Sequence, residues 1–494
     1  MISLPERCQS KEEMIFSNGR SAFGAMRPLL KIRIHIFMNQ KYSVKFWILF
    51  VIGSILFLSM WFVFWEIRHR DMSTLGNLSS MLPVSDQAKR SLETVASIGA
   101  RLADTDGEEK SFLILFQNNM ELRPGGGFIG SFGILKIRDG HVMKFDVHDT
   151  GNFDGRIPDT VTPPYPMEQT LKIKSWKLRD SNWSPDFSEN ALQAVDFYRM
   201  GAGEETFDGV IGITTNVLTS FLDITGPVEI EGYPGTYGSY NAVLDLEYQV
   251  EKGYADQGIA AGERKSVMGL LGNVILTRVK ELSLTKQYAL MQAIFQDLNQ
   301  KDIQFWFADA DWQREIAAAG WDGDFDRNFD RDFLAIVDAN LASFKSDLFI
   351  NRFVSYTVDL RGEKIKSHLE ISYEHSAEKR DWLTKEYQTY LRVYAPHGGW
   401  FGAISGEASL PPVYGEYQGK RFAGVLVHVP LGTTHVVSLD YELPGGWKDD
   451  YDLKIQKQAG VNDMPVTVKI IRPDGKEEIK SFLLNSDTIL SEVK

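Results

Sequence analysis

A glycine-rich stretch that follows an apolar run is the segment most suggestive of chemistry. It reads NNMELRPGGGFIGSFG, from Asn118 to Gly133, directly after the run FLILFQ. Gly125, Gly127 and Gly130 have the spacing of a dinucleotide-binding fingerprint, which must open a helix whose N-terminus holds a pyrophosphate. The next segment is apolar and strand-like, so we exclude a nucleotide loop. Two interpretations stay open: a tight connection with positive φ angles, or a loop in which Arg123 grips an anionic oxygen.

A ladder of acidic residues is a second candidate site, in this case for a cation. The stretch DGDFDRNFD places side-chain oxygens at every second position, at Asp322, Asp324, Asp326, Asn328 and Asp330. An EF-hand loop begins this way but needs Gly at its sixth position and Glu at its twelfth. Arg327 and Phe333 stand there, so we reject an EF-hand. The alternatives are a looser calcium site or a solvated acidic loop that caps the next helix.

Residues for nucleophilic catalysis are poorly represented. The sequence has no Gly-x-Ser-x-Gly elbow, and its single cysteine, Cys8, precedes every predicted folded segment. His141 and His148 lie close together near a predicted strand, but two histidines do not make a metal cluster. Hydrolysis through a serine or cysteine nucleophile is therefore not predicted.

The elements that would position these residues begin with an apolar run of twenty residues, Phe46 to Trp65, which contains no charge. Such a helix is about 30 Å long, enough to cross the hydrocarbon core of a bilayer. Tryptophans near both ends suit the membrane interface. Charged residues rather than small ones follow the run, so we expect an uncleaved anchor instead of a secretory signal.

The flanking charges predict the orientation of this helix. The twenty residues before it carry only basic charges, whereas the twenty after it are balanced. The positive-inside rule places residues 1–45 in the cytoplasm as a basic tail and the rest outside, at the plasma membrane. Residues 1–45 carry eight Lys or Arg against three Glu, although the whole chain has a net charge of −13. The outer part is therefore strongly acidic, which argues against nucleic acid as a partner.

Beyond the membrane, hydrophobic periodicity predicts two domains. Residues 66–105 are expected to form a helical stalk, and residues 106–345 an α/β domain in which helices flank a mixed sheet. Asp139 and Gly140 predict a tight hairpin between two strands, and Ser184 predicts the N-cap of a helix that has Pro185 in its first position. After Phe349 the period changes from 3.6 to 2, so residues 346–494 are expected to form an antiparallel β-sandwich.

Three stretches of the predicted α/β domain together resemble a known family. They are NNMELRPGGGFIGSFG, SNWSPDFSENA from Ser181 to Ala191, and FDGVIGITTNVLTSFLDITGPVEI from Phe207 to Ile230. They are similar to an uncharacterised bacterial group, domain of unknown function 4012, over about residues 110 to 395. Members of this group often have one N-terminal anchoring helix, and membership by itself implies no activity.

The order of elements is more distantly similar to the LytR-CpsA-Psr envelope phosphotransferases. Those enzymes transfer glycopolymers from a polyprenyl pyrophosphate to peptidoglycan, using arginines and magnesium-binding aspartates. The resemblance implies catalytic roles for Arg123, Asp149 and Arg264 and a magnesium ion at Asp149. Two positions depart from the family: the aspartate expected after Arg123 is absent, and His148 replaces an arginine. Because a pyrophosphate needs several cations around it, these losses weaken the implied site.

Two functional hypotheses follow from these residues. The first is a membrane-anchored envelope protein that transfers phosphate-linked glycan from a lipid carrier, with lipid-linked glycan or peptidoglycan as its partners. The second is a non-catalytic envelope assembly or adhesion protein that binds a partner through its outer domains. Arg123, Asp149 and Arg264 around one open cleft would favour the enzyme. Arg123 and Asp149 in a structural ion pair, or scattered, would favour the binding protein.

Overall fold

The computed structural model describes residues 86–407 and 410–491. The predicted basic tail, the predicted membrane helix at 46–65 and the first part of the predicted stalk lie outside the described residues. Among the residues that are described, no helix is both long enough and apolar enough to cross a bilayer.

The N-terminal part of the described chain is a sheet with flanking helices. Its elements are α1 (Asp86–Leu102), β1 (Glu109–Asn118), β2 (Phe128–Arg138), β3 (His141–Asp149), α2 (Thr150–Asp154), α3 (Met167–Leu171), α4 (Phe187–Met200), β4 (Gly209–Thr214), α5 (Thr215–Thr225), α6 (Ala242–Tyr248), α7 (Ser266–Lys280), α8 (Leu284–Asn299), β5 (Ile303–Phe307) and α9 (Ala310–Ala319). A π-helical turn, Gln249–Gly253, follows α6.

The sheet of this α/β domain has the strand order β3-β2-β1-β4-β5. Only its central pair, β1 and β4, is parallel; the other neighbours are antiparallel. The predicted mixed sheet with flanking helices is therefore confirmed. The predicted Asp139-Gly140 hairpin is also present, and both residues have positive φ, 50° and 73°, as a tight two-residue turn requires.

The central strand β1 is buried on both faces of the sheet. Leu113 and Leu115 pack in one apolar cluster with helix α4, and Phe112 packs in a second cluster that contains Trp312 of α9. The end of α1 also joins this second cluster, and Arg101 bonds Glu315 at 2.5 Å. Residues 86–102 of the predicted stalk thus pack onto the α/β domain.

Helix α4 begins two residues later than the sequence predicts. Its N-cap is Asp186, whose carboxylate accepts a hydrogen bond from the Glu189 backbone at 3.2 Å. Ser184, the predicted cap, lies outside the helix because the Asn190 side chain binds its backbone N–H and C=O, each at 2.9 Å. The predicted cap at Ser184 is therefore wrong, because the Asn190 side chain holds Ser184 outside the helix.

The C-terminal part consists of two packed sheets. Its strands are β6 (Asp332–Val337), β7 (Ile350–Asp359), β8 (Ile365–His375), β9 (Tyr387–Ala395), β10 (Trp400–Ser405), β11 (Val413–Tyr417), β12 (Lys420–Val429), β13 (Thr434–Leu443), β14 (Leu453–Gln456), β15 (Met464–Ile471), β16 (Glu477–Leu484) and β17 (Thr488–Leu490). One sheet has the order β10-β13-β8-β7-β15-β16 and the other β11-β12-β9-β6-β14-β17. Inward-facing residues of both sheets form one apolar cluster, so the predicted sandwich architecture is present.

Two details of the predicted sandwich are wrong. Each sheet contains one parallel pair, β7 with β15 and β6 with β14, so the sandwich is mixed rather than antiparallel. The predicted boundary at residue 345 is too late, because β6 pairs with β9 and β14. Both differences arise from pairing between strands that are far apart in the sequence, which alternation within a single strand does not reveal.

Arg123 joins the α/β domain to the sandwich from a buried position. Its side chain is 1% exposed, and its guanidinium donates to Asp180 at 2.9 Å, to Glu121 at 3.1 Å and to the Asn340 carbonyl at 2.7 Å. Burial alone would lower the pKa of Arg123, but the carboxylates of Asp180 and Glu121 outweigh it and raise the pKa. The arginine is therefore a permanently charged structural link between the two domains.

The glycine-rich loop beside Arg123 packs against the sandwich at very close range. Gly126 has φ 135°, and its carbonyl oxygen lies against Gly460, which has φ 75°. A Cβ at Gly460 would overlap that oxygen. Gln458 reinforces the contact by donating to the Arg123 carbonyl at 3.1 Å. Of the two interpretations of the glycines, the tight connection is the one observed.

We expect Arg123→Met to destabilise the fold by about 3–5 kcal/mol, because it leaves two buried carboxylates without their cation. Chemical denaturation monitored by tryptophan fluorescence measures this loss. Arg138→Met is the matched control: Arg138 pairs with Glu109 at 2.8 Å on the surface, with its side chain 44% exposed. An exposed pair contributes below about 1 kcal/mol, so equal losses in the two variants would contradict a special role for Arg123.

We expect Gly460→Ala to cost about 1–3 kcal/mol more than Gly475→Ala. Both glycines have positive φ, 75° and 85°, so the backbone strain of an alanine is shared. At Gly460 an added Cβ would overlap the Gly126 carbonyl oxygen, whereas nothing lies within 4 Å of a Cβ at Gly475. The difference therefore isolates overpacking at the contact with Gly126. Equal denaturation midpoints for the two variants would contradict the close packing of Gly460 against Gly126.

Candidate binding cavity

A cavity of about 590 Å³ opens beside the end of β3. Its walls come from three segments: the end of β3 with helix α2, the following turn, and the start of helix α7. The charged and polar residues that line it are His148, Asp149, Asn152, Arg156, Glu263, Lys265 and Ser266. The volume lies within the range of about 300–1,000 Å³ that is typical of small-molecule sites.

An ion pair between Asp149 and Lys265 forms one wall of this cavity. Asp149 is the N-cap of α2 and accepts from the Asn152 backbone with Oδ1 at 3.1 Å. Its Oδ2 lies 3.2 Å from Lys265 Nζ, and the two side chains are 9% and 13% exposed. Lys265 also donates to the Gly130 carbonyl. Burial lowers the pKa of Lys265, and the charge of Asp149 opposes that shift.

His148 and Arg156 complete the basic side of the cavity. The His148 ring stacks on Phe132 with centroids 5.0 Å apart, and burial lowers the pKa of His148 below its ordinary value. The lowered pKa favours the neutral imidazole, which can both donate and accept a hydrogen bond. Arg156 is exposed and places its guanidinium 5.2 Å from the centre of the Phe153 ring.

Helix α7 starts at the cavity wall. Its N-cap, Lys265, makes no side-chain capping bond, and Ser266 and Gly269 of the first turn line the cavity. The N–H groups at a helix start carry a partial positive charge. The Ser266 hydroxyl lies 2.8 Å from the Tyr233 hydroxyl, so its recorded partner is another hydroxyl rather than a catalytic base.

The structure brings only one of the three predicted site residues into the cavity. Asp149 lines it; Arg123 is buried in the domain link described above; Arg264 forms an ion pair with Glu251 at 3.4 Å. The cavity cation that the sequence missed is Lys265, the neighbour of Arg264. Which of these two adjacent cations lines the cavity depends on where α7 begins.

The residues around Asp149 do not fit the magnesium ion that the resemblance implies. Both carboxylate oxygens are already bound, one by the Asn152 N–H and the other by the Lys265 ammonium. A divalent cation there would lie against that ammonium. Within residues 86–407 and 410–491, no three His, Cys, Asp or Glu side chains are grouped so as to hold a metal.

The acidic ladder has a structural role instead. Asp324 accepts a hydrogen bond from the Ser188 hydroxyl at 2.6 Å, and Asp326 forms an ion pair with Lys454 of β14 at 2.5 Å. Burial raises the pKa of Asp322 to about 6. The ladder thus connects helix α4 with the sandwich, and it is less solvated than an acidic capping loop would be.

The lining of the cavity has groups that can pair with negative groups and with hydroxyl groups. Lys265, Arg156 and the start of α7 are suited to phosphate oxygens. Asp149, Glu263 and Asn152 are suited to hydroxyl groups, because carboxylates and amides accept their hydrogen bonds. The lining carries two cations and two carboxylates, so it is balanced in charge and does not resemble a general anion trap.

Comparisons with known proteins give a family match for part of the chain. Residues 107–250 match the family model DUF4012, described as a protein of unknown function. No curated protein matches the chain. Solved structures with some likeness include the Lin1025 protein of Listeria innocua, 14% identical with a TM-score of 0.26, which covers 44% of this chain and 78% of its own. Protein gbs0355 of Streptococcus agalactiae is 11% identical with a TM-score of 0.26, at 44% and 74% coverage.

Both TM-scores are too low to support any argument about this chain. The matched family segment runs from the turn before β1 to the π-helical turn after α6, and it contains the glycine-rich loop, Asp149 and helix α4. It also contains all three stretches that carry the resemblance, at residues 118–133, 181–191 and 207–230. Residues 107–250 of this protein are a DUF4012 domain, a domain of unknown function.

Proposed function

We propose that this protein is a single-pass envelope protein that binds a phosphate-bearing glycan in the cavity between β3 and α7. The observation that supports this most directly is the partly buried Lys265–Asp149 pair in the wall of an open cavity. It places a cation for phosphate beside a carboxylate for sugar hydroxyls. A lipid-linked glycopolymer or a peptidoglycan fragment carries both groups on one molecule.

The ligand class follows from the mixture of charges. A bare phosphate would gain from Lys265 and Arg156 but would be repelled by Asp149 and Glu263. A neutral sugar would offer no negative group to Lys265 or Arg156. A phosphosugar satisfies both sets, and the neutral His148 ring can hydrogen-bond to either part.

Binding is favoured over phosphotransfer by the position of Arg123. Transfer from a pyrophosphate requires several cations and a metal around the reacting oxygens. The guanidinium of Arg123 donates hydrogen bonds to Asp180, Glu121 and backbone carbonyls. The surroundings of Asp149 do not fit magnesium. The second hypothesis, a non-catalytic envelope protein, is therefore the one we adopt.

The sequence supports the proposed membrane anchor. The uncharged run 46–65 has the length of a membrane-crossing helix, and basic residues precede it. In this arrangement the N-terminus is cytoplasmic, and the α/β domain and the sandwich face the exterior. Retention at the membrane keeps the cavity close to lipid-linked ligands.

Replacement of Lys265 tests the cavity. With N-acetylglucosamine 1-phosphate as the probe, we expect Lys265→Met to weaken binding by about 10- to 100-fold, because a charge-assisted hydrogen bond is lost. Isothermal titration of the full-length protein in detergent measures the dissociation constant. Lys265→Arg keeps the charge and should retain most of the affinity.

Lys280→Met is the matched control, since Lys280 is exposed at the opposite end of the same helix. It should bind the probe like the wild type. N-acetylglucosamine without phosphate should bind far more weakly. If the phosphate-free sugar bound equally well, or if Lys265→Met bound normally, the proposed ligand class would be wrong.

The proposed orientation predicts the reactivity of cysteines in intact bacterial cells. Cys8, on the cytoplasmic side, should not react with a membrane-impermeant maleimide. In a Cys8→Ser background, Lys476→Cys should react fully, because Lys476 lies in an exposed turn of the sandwich. Permeabilised cells give the control in which both cysteines are labelled. Labelling of Cys8 but not of Lys476→Cys in intact cells would refute the orientation.

A further inference from the structure

A second cleft lies where the α/β domain meets the sandwich. Its volume is about 270 Å³, slightly below the lower limit of about 300 Å³ for drug-sized ligands. One wall belongs to the loop after β1, at Asn119 and Leu122; the other walls belong to the start of β7 and to residues 460–465 before and within β15. It shares no lining residue with the cavity at Lys265.

The floor of this cleft is a buried ion pair that holds its shape. Arg352 donates to Asp347 at 2.5 Å and to Asp338 at 2.8 Å. Burial alone would lower the pKa of Arg352, but Tyr387, Asp338 and Asp347 raise it well above the ordinary value. The charge of Arg352 is thus compensated by two carboxylates of the protein itself.

The rim of the cleft carries exposed amides and a carboxylate. Asn351, Asn462 and Asp463 are all exposed. The Asn462 side-chain oxygen accepts from Asn216 at 3.0 Å, which orients its amide nitrogen as a donor. Among the described residues, no hydrogen bond or ion pair occupies the Asp463 carboxylate. The Asn351 amide nitrogen donates to Glu374 at 3.3 Å, so its side-chain oxygen remains as an acceptor. The rim therefore offers the Asn462 amide as a donor, and the Asn351 oxygen and the Asp463 carboxylate as acceptors.

An exposed aromatic ring stands beside these polar groups. Phe353 is on the outward face of β7 and is 44% exposed. Val354 pairs with Val466 in the parallel register of β7 and β15, so Phe353 is the neighbour of Pro465 across the strands. Its polar neighbours along the outward face are Asn351 and Ser355. A large apolar ring at such a position offers one flat face to a ligand.

We infer that this interdomain cleft binds a short neutral saccharide segment. A pyranose ring has a face of C–H groups that stacks on Phe353, and hydroxyl groups around its edge that pair with Asn351, Asn462 and Asp463. The volume accommodates one or two sugar units. The inference is independent of the phosphosugar cavity, because the two sites have different residues and different chemistry.

A peptide fits this cleft less well. Extended peptides bind by adding a strand to a free sheet edge, but β7 already pairs with β8 and β15 on its two sides. Its backbone N–H and C=O groups are therefore engaged. No deep apolar pocket for a side-chain anchor lines the cleft; its apolar groups lie around polar ones.

The test is calorimetric titration of the full-length protein in detergent with four neutral tetrasaccharides: chitotetraose in its N-acetylated form, cellotetraose, maltotetraose and xylotetraose. We expect at least one of them to bind, and Phe353→Ala and Asn462→Ala each to weaken that binding at least tenfold. Lys265→Met should leave it unchanged, which separates this site from the phosphosugar cavity. Leu483→Ala, which removes an exposed apolar side chain of β16 outside the cleft, is the matched control.

Unchanged denaturation midpoints confirm that Phe353→Ala and Asn462→Ala are folded. Both side chains are exposed, so we expect the substitutions to change the free energy of unfolding little. Failure of all four tetrasaccharides to bind would overturn the inference. Binding that Phe353→Ala and Asn462→Ala leave intact would overturn it too. If an unstructured peptide such as oxidised insulin B chain bound instead, with the same dependence on Phe353, the cleft would be a peptide site.

Discussion

The buried guanidinium of Arg123 is the interaction on which the arrangement of the two domains depends. A charge removed from water is tolerated only where partners surround it, and here those partners come from different parts of the chain. Glu121 is in the same loop, Asp180 precedes helix α4, and Asn340 follows the first strand of the sandwich. One side chain thus fixes three segments that are up to 217 residues apart.

The glycine-rich loop follows from this constraint. A loop that presents an arginine to the interior and also touches a second domain must let two backbones approach closely. Gly126 and Gly460 meet in this way, with positive φ on both sides. The same loop leads into β2, whose hairpin with β3 ends at Asp149. Ser131 pairs with Asp149, so the start of β2, which follows the loop, lies at the same end of the hairpin as the cavity at Lys265.

The distribution of charge separates structural from functional groups. Arg123 and Arg352 are buried, and each forms ion pairs with two carboxylates. Lys265 has a single carboxylate partner and borders open space. The Lys265 ammonium has three N–H groups and two partners, Asp149 and the Gly130 carbonyl, so one N–H remains for a ligand in the open cavity. This difference is why we assign ligand binding to Lys265, although the sequence drew attention to Arg123.

The sequence by itself determined the local elements of this protein. Strand β1, the Asp139-Gly140 hairpin and helix α8 follow from patterns within a few residues, because side-chain period and turn chemistry act at that range. The parallel pairs, the place of β6 in the sandwich and the cavity cation were decided only by the tertiary structure. Each depends on contacts between residues far apart in the chain, and no local pattern encodes which distant segment a residue will contact. Arg123 shows the difference between the two kinds of information. The sequence identifies an arginine beside the glycines, but its structural role depends on its contacts with Asp180 and Asn340.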